Sequence, residues 1–137
     1  MNTTKITGEA VALNSGQRYH TTISAGKHVF VADEPEAFGG KGDGPAPIDY
    51  LCAALASCKA ITIQMYVQRK GWVLHHVDVK VTFVKSDQMA SGNNTFYCHI
   101  TLDGEVNEEQ KQRILAIAKA CPVDRLLRKP SDIVTLM

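Results

Sequence analysis

The sequence predicts a small α+β protein with the element order βββ-α-ββ-α-β. Three observations predict this fold class: an alanine-rich helical pattern over residues 47–70, apolar-polar alternation over residues 77–83 and 96–102, and a helix-capping signal at Asn107. A chain of 137 residues is long enough to bury one core without metal or disulfide support. We therefore expect residues 1–137 to form a single domain.

The first third of the chain predicts three short strands followed by a loop. Residues 5–13 alternate weakly, and the β-prone runs 19–25 and 28–32 flank Gly26 as a hairpin would. Residues 33–47 hold four of the ten glycines and three of the five prolines, which is typical of a flexible loop. The glycine spacing at 39–44 fits neither a P-loop nor a dinucleotide-binding motif.

The long helix has recognisable ends. Pro47 suits a first helical position, Asp49 places a carboxylate in the first turn, and Gly71 follows the last turn as a C-cap. Four alanines near its centre permit close packing on every side, so we expect a central helix around which the other elements wrap. Its apolar run, interrupted by Lys59 and Gln64, is too mixed and short for a membrane span and favours a buried core helix.

The remaining elements follow from periodicity and capping. The alternating runs 77–83 and 96–102, separated by a polar loop, predict an antiparallel hairpin. Asn107 and Gln110 form the pattern of a capping box before a helix over 108–120. Pro122 interrupts that helix, residues 123–127 can restart as a separate helical turn, and residues 133–136 predict a closing strand.

Charge and cysteine spacing exclude several classes of protein. Fifteen basic and fourteen acidic side chains give a net charge of +1, without the basic excess of a nucleic-acid-binding surface. The first five residues lack the apolar run of a signal peptide, so we expect a cytoplasmic protein. The four cysteines contain no C-x-x-C spacing, which argues against structural zinc and favours free or catalytic thiols.

Two cysteines are candidates for thiol chemistry. Cys58 lies in the middle of the long helix, where an intracellular cysteine is most often a small buried hydrophobe. Cys121 precedes Pro122, and as the N-cap of a new helical turn it would have a lowered pKa, with Arg125 as an added cation. A plain helix break explains Cys121 equally well. Cys52, about 240° around the helix from Cys58, and Cys98 are interpreted as packing residues.

Two separated cysteine motifs resemble those of a known family. Residues 44–58, GPAPIDYLCAALASC, and residues 120–123, ACPV, are similar to the signatures of the OsmC/Ohr family of osmotically inducible and organic-hydroperoxide-resistance proteins. The segments 69–72 and 129–135 are similar to its OsmC-like branch. The resemblance extends over nearly the whole chain in length and element order.

The resemblance implies an intertwined homodimer with two long helices in the middle and sheets outside. It also implies a peroxidase in which Cys58 reduces an organic hydroperoxide and becomes a sulfenic acid, which Cys121 converts to a Cys58–Cys121 disulfide. A small dithiol reductant, lipoyl-like in the better-known members, would restore both thiols. No metal, cofactor, nucleic acid or membrane partner is implied.

The peroxidases of this family hold the reactive thiolate with an arginine that a glutamate fixes. Here Ile48 stands ten residues before Cys58, and Asp49 is the nearest carboxylate. Nine helical residues turn through about 900°, so Asp49 and Cys58 lie on opposite faces. One site could use both only if Asp49 came from the partner subunit or if the helix began later; otherwise Asp49 is only a helix-end carboxylate. The candidate cations are Arg18, Lys41 and Arg125.

Two functions from different classes therefore remain. The first is a cysteine-dependent peroxidase, with Cys58, Cys121, Asp49 and Arg18 as its site. The second is a non-enzymatic dimeric module that senses redox state or binds a small ligand. A cation beside Cys58 distinguishes them, because a stabilised thiolate is what attacks peroxide.

Overall fold

The computed structural model describes residues 5–137 of the chain. Its strands and helices follow in the order β1 (Val11–Asn14), β2 (Thr21–Ala25), β3 (His28–Ala32), α1 (Pro47–Lys70), β4 (Val73–Val84), β5 (Thr95–Glu105), α2 (Glu108–Ala118) and α3 (Pro122–Leu127). Short 3-10 turns lie at Glu36–Phe38 and Ser86–Gln88. Two antiparallel sheets and three helices confirm the α+β fold class.

The chain divides into two compact units, residues 1–50 and 51–137, and α1 begins in the first and continues into the second. In the first unit, β2 pairs with β1 on one side and with β3 on the other. The ring of Tyr50 packs on Phe30 with centroids 5.4 Å apart, and its hydroxyl donates to the Val31 carbonyl over 2.5 Å. These contacts fix the first turn of α1 against the three-stranded sheet.

The predicted glycine-rich loop follows β3, and it is organised around one buried carboxylate. Asp33 accepts hydrogen bonds from the backbone N–H groups of Glu34 (2.8 Å), Lys41 (3.3 Å) and Asp43 (3.1 Å). Burial acts to raise the pKa of Asp33, but the three N–H donors outweigh it and the pKa is lowered. Composition alone could not show that a single side chain closes this loop.

The second unit builds its core between α1, α2 and the β4–β5 hairpin. Ile63 and Val67 of α1 pack with Ile114 and Ala118 of α2, and all four are almost fully buried. The hairpin is antiparallel as predicted, and its inward residues pack on the core: Leu74, Val77, Ile100 and Leu102. Alternation predicted the inward positions of Val77, Ile100 and Leu102 correctly, because the polar residues between them face water.

The predicted helix ends are largely confirmed. Gly71 has a left-handed φ of 71° directly after α1, as a C-cap glycine should. The capping box of α2 is complete, since Asn107 accepts the Gln110 N–H and Gln110 accepts the Asn107 N–H. The second helix ends at Ala118 rather than at residue 120, and α3 restarts at Pro122.

Two further predictions differ from the structure. Residues 133–136 form no strand, since β4 and β5 pair with each other and Ile133 is 87% exposed. Helix α1 is not a buried core helix along its length, because only four of its residues are buried in this chain. By length and composition alone it could span a membrane, although the core helices of soluble proteins pass the same test.

Candidate functional site: a thiol pair beside a buried lysine

Cys58 and Cys121 meet within the second unit. Cys58 lies in the middle of α1 and is half-buried, and Cys121 is completely buried directly before α3. The backbone N–H of Val123, the second residue of α3, donates to Cys58 Sγ over 3.5 Å. Both side chains are thiols in the structure, and they lie within hydrogen-bonding reach of each other.

Cys121 occupies the N-cap of α3, as predicted, but the predicted effect on its pKa is wrong. Burial raises the pKa of the Cys121 thiol; the Asp124 backbone N–H opposes this, and the adjacent Cys58 side chain raises the pKa further. The net pKa is above the ordinary value, because desolvation disfavours the thiolate more than the helix end favours it. Sequence spacing showed the cap position but not the burial.

Lys59, directly after Cys58, is the charged residue that sequence reasoning missed. Its side chain is buried, and Nζ donates to Asp124 Oδ2 over 2.6 Å and to the Ala118 carbonyl oxygen over 2.8 Å. The signal was present in the spacing, because Leu55, Lys59, Ile63 and Val67 repeat every four residues along the buried face of α1. A lysine within such a stripe needs a buried acceptor.

Asp124 is shared between two cations. Its second carboxylate oxygen accepts from Arg128 Nε, one helical turn later, and the Arg128 side chain is largely exposed. Burial acts to raise the pKa of Asp124, but hydrogen bonds from Arg128 and Lys59 outweigh it and lower the pKa. Lys59, Asp124 and Arg128 thus carry one net positive charge beside the thiols.

The other predicted site residues have identifiable contacts in the first unit. Asp49 accepts the N–H of Ala46, the residue before α1, over 3.0 Å, which is a helix-end role. Arg18, with a left-handed φ of 54°, donates from Nη1 to the Gly39 carbonyl over 3.1 Å. Lys41 donates its backbone N–H to Asp33. Roles for Arg18 and Asp49 beside the thiolate stay predictions.

The remaining residues singled out from the sequence lie in the second unit: Arg125, Cys98 and Cys52. The Arg125 N–H donates to the Cys121 carbonyl over 3.1 Å, an ordinary helical bond. Cys98 is exposed on β5 opposite Val81, so its predicted inward packing is wrong. Desolvation raises the pKa of Cys98, Lys59 opposes this, and Cys52 adds to it.

One cluster in the first unit has the donor types of a metal site. The potential ligand atoms of His20, Asp33 and Asp43 all lie within 4.8 Å of one another. His20 Nδ1 is 2.9 Å from Asp43 Oδ2, however, and Asp33 already accepts three backbone N–H groups. These contacts account for the cluster as part of the loop's own structure.

The first unit also contains an open apolar cavity of about 630 Å³. Its lining comes mostly from strand residues, and it includes Tyr19, Phe30, Tyr50 and Asp33. Its volume and lining are those of a site for a small apolar group.

Comparison with known proteins assigns the family. The family model described as OsmC-like protein matches residues 40–135, a range that contains both cysteine motifs. This chain belongs to the OsmC family. The match confirms the resemblance stated from residues 44–58 and 120–123.

Solved structures of OsmC and Ohr proteins share this fold. An OsmC-like protein from Mycoplasma pneumoniae is 19% identical with a TM-score of 0.72, covering 91% of this chain and 89% of its own. An osmotic stress induced and detoxification response protein from Psychrobacter arcticus is 22% identical with a TM-score of 0.71, covering 91% and 90%. The organic hydroperoxide resistance protein OhrB of Bacillus subtilis is 17% identical with a TM-score of 0.60, covering 90% and 91%. No curated protein matches this OsmC-family chain.

Proposed function

We propose that this OsmC-family protein is a cysteine-dependent peroxidase that reduces organic hydroperoxides. The observation that carries the proposal is the meeting of Cys58 and Cys121, which lie sixty-three positions apart in the chain and on different helices. Family membership supports it, as does the fold shared with proteins named for organic hydroperoxide resistance. A pair of adjacent thiols is the minimum apparatus for a two-electron reduction that ends in a disulfide.

The proposed reaction has two oxidative steps. The Cys58 thiolate attacks the terminal oxygen of the hydroperoxide, an S–O bond forms, the O–O bond breaks, and the leaving alkoxide takes a proton to give the alcohol. Cys121 then attacks the sulfur of the Cys58 sulfenic acid, an S–S bond forms, the S–O bond breaks, and the departing hydroxide receives the Cys121 proton to leave as water. Two thiols and one hydroperoxide thus yield one disulfide, one alcohol and one water.

A dithiol reductant, lipoyl-like as the family resemblance implies, would close the cycle by two thiol-disulfide exchanges. Its first thiolate attacks the Cys58–Cys121 bond, which gives a mixed disulfide and releases one protein thiol. Its second thiol then attacks the mixed disulfide and releases the other protein thiol. The oxidised reductant leaves as its own cyclic disulfide. No metal or organic cofactor takes part in this scheme.

One observation favours the second candidate, a redox-sensing module without efficient turnover. The raised pKa of the Cys121 thiol means that little thiolate is present at neutral pH to resolve the sulfenic acid. A thiol pair that closes slowly can report oxidation without serving as a catalyst. The rate of disulfide formation therefore separates the two functions.

We also propose that the working form is a homodimer. Helix α1 exposes several large apolar side chains in the single chain, among them Ile61 and Met65, which are 59% and 63% exposed. Residues four apart on a helix share one face, so these two form an apolar stripe. Such a stripe on a long helix is typical of a surface that a second copy covers.

The test of the peroxidase is an intact-mass measurement on reduced protein treated with stoichiometric cumene hydroperoxide. We expect the loss of two hydrogens within seconds, peptide mapping to a Cys58–Cys121 bond, and no fast reaction of Cys58→Ser. The Cys121→Ser variant should stop at the sulfenic acid, or proceed to sulfinic acid with excess peroxide. An unchanged wild-type mass, or slow oxidation scattered over the cysteines, would refute the peroxidase and leave the sensing module.

A further inference from the structure

We propose that Lys59 is the positioning residue of the thiol pair. In the second unit its buried ammonium fastens the turn that carries Cys121 to the turn of α1 that carries Cys58. The inference deepens the proposed function, and it rests on that function only for the identity of the oxidant.

The contacts of Lys59 join three helices. Its backbone belongs to α1 directly after Cys58, and its Nζ reaches the Ala118 carbonyl at the end of α2 and the Asp124 carboxylate in the first turn of α3. Cys121 lies between those two acceptors in the chain. The turn that holds Cys121 is thus tied at both of its ends to the residue that follows Cys58.

The tie also places a hydrogen bond on the reactive sulfur. Val123, whose N–H donates to Cys58 Sγ, is the neighbour of Asp124 in α3. The Lys59–Asp124 contact therefore positions two groups beside the Cys58 sulfur. One is the N–H of Val123, and the other is the thiol of Cys121. One ammonium thus positions both groups.

Stability alone gives no reason for a lysine at this position. An apolar residue would continue the buried stripe of Leu55, Ile63 and Val67, and a buried ion pair is often no more stable than apolar residues of similar volume. The ammonium instead constrains the geometry, because its N–H groups must reach two acceptors at fixed positions, the Ala118 carbonyl and the Asp124 carboxylate. Its charge also opposes the burial that raises the pKa of Cys121.

The inference is tested through the equilibrium of the disulfide, which needs no peroxide. Diamide removes two hydrogens from a pair of thiols, giving a disulfide and the corresponding hydrazine, so it closes any two thiols that are held together. The reduction potential of the Cys58–Cys121 bond is then read in glutathione buffers by alkylation and peptide mapping. The variants are Lys59→Met and the apolar double variant Lys59→Met/Asp124→Leu in the full chain.

We expect both variants to form the Cys58–Cys121 bond less favourably than the wild type. Loss of alignment should reduce the equilibrium constant roughly tenfold or more, which raises the potential by about 30 mV per factor of ten. Lys111→Met is the matched control, because it removes a lysine that forms an exposed pair with Glu108. That control should keep the wild-type potential.

The double variant keeps the inference falsifiable if Lys59→Met alone does not fold. Its apolar pair fills the same space without leaving an unpaired buried charge, so we expect a cooperative thermal unfolding transition. A folded double variant with the wild-type potential would overturn the positioning role, as would a folded Lys59→Met with that potential.

The peroxide and diamide experiments distinguish failure of the proposed peroxidase from failure of the proposed role of Lys59. A wild-type protein that forms the disulfide with diamide but does not react with cumene hydroperoxide refutes the peroxidase and leaves the role of Lys59 intact. A wild type that reacts with peroxide, together with folded Lys59 variants that match its potential, supports the peroxidase and refutes the positioning role.

Discussion

At the scale of single residues, we expect the protonation state of the Asp124 carboxylate to determine how firmly the ion pairs near the thiols are held. Asp124 accepts from Lys59 on one oxygen and from Arg128 on the other, and it lies three residues after Cys121. Protonation of that carboxylate would leave the buried Lys59 ammonium without its anionic partner. Acid should therefore loosen the site before it unfolds the rest of the second unit.

The free energy of unfolding should show this dependence directly. Because the pKa of Asp124 is below its ordinary value of 3.8, its contribution is complete above that value and is lost as the pH falls through the lower folded-state pKa. Asp124→Asn should be about 2–3 kcal/mol less stable at pH 7, and the deficit should shrink as the pH falls below 4. Denaturant unfolding across this range measures both.

Glu108→Gln is the control for this titration. It removes a carboxylate whose pair with Lys111 is exposed, so we expect a change of less than about 1 kcal/mol at pH 7. A deficit of Asp124→Asn that stays constant from pH 7 to pH 2 would contradict a charged role for Asp124.

At the scale of elements, the loop between β3 and α1 depends on backbone contacts that leave no room for side chains. A Cβ on Gly44 would lie 2.2 Å from the Val31 carbonyl oxygen, and one on Gly40 would lie 1.9 Å from that of Glu34. Both obstacles are backbone atoms, which cannot move aside alone. The glycines therefore permit the close return of the loop over β3 that Asp33 then fixes.

Gly44→Ala should consequently destabilise the protein by more than about 2 kcal/mol in denaturant unfolding. Gly8→Ala is the matched control, since a Cβ there would meet nothing within 4 Å, and we expect a change within about 0.5 kcal/mol. Equal stability of the two variants would show that the loop can shift without cost.

The elements also show where sequence reasoning succeeds. The bounds of α1, the capping box at Asn107 and the alternation of the hairpin are local signals, and each was predicted from neighbouring residues. The loop around Asp33 and the Lys59–Asp124 pair depend on residues that come together only in the fold. For the same reason Cys121 was found as a cap, whereas its burial and raised pKa were not.

At the scale of the whole molecule, the apolar stripe of α1 is exposed to water in the single chain, which is unfavourable. The chain presents Ile61 and Met65 to solvent on a helix of 24 residues, of which only four are buried. A second copy that packs the same stripe against this one would remove both surfaces from water.

Sedimentation of the wild type should show a dimer. Met65→Lys should raise the dissociation constant roughly 30-fold or more, because a charge would replace an apolar side chain of the stripe through which we propose the two copies pack. Gln112→Lys, at an exposed polar position on α2 away from the stripe, should leave the constant unchanged. A strictly monomeric wild type would refute the dimer.

The pair formed by Lys59 and Asp124 has an evolutionary consequence. Loss of either partner alone leaves a buried charge unpaired and lowers the free energy of unfolding by about 3–5 kcal/mol. Replacement of both partners by apolar residues of similar volume often changes that free energy little. A lineage should therefore change the two positions together or keep both, although sixty-four residues separate them in the chain. Among descendants of this sequence, the residue type at position 59 should then predict the residue type at position 124.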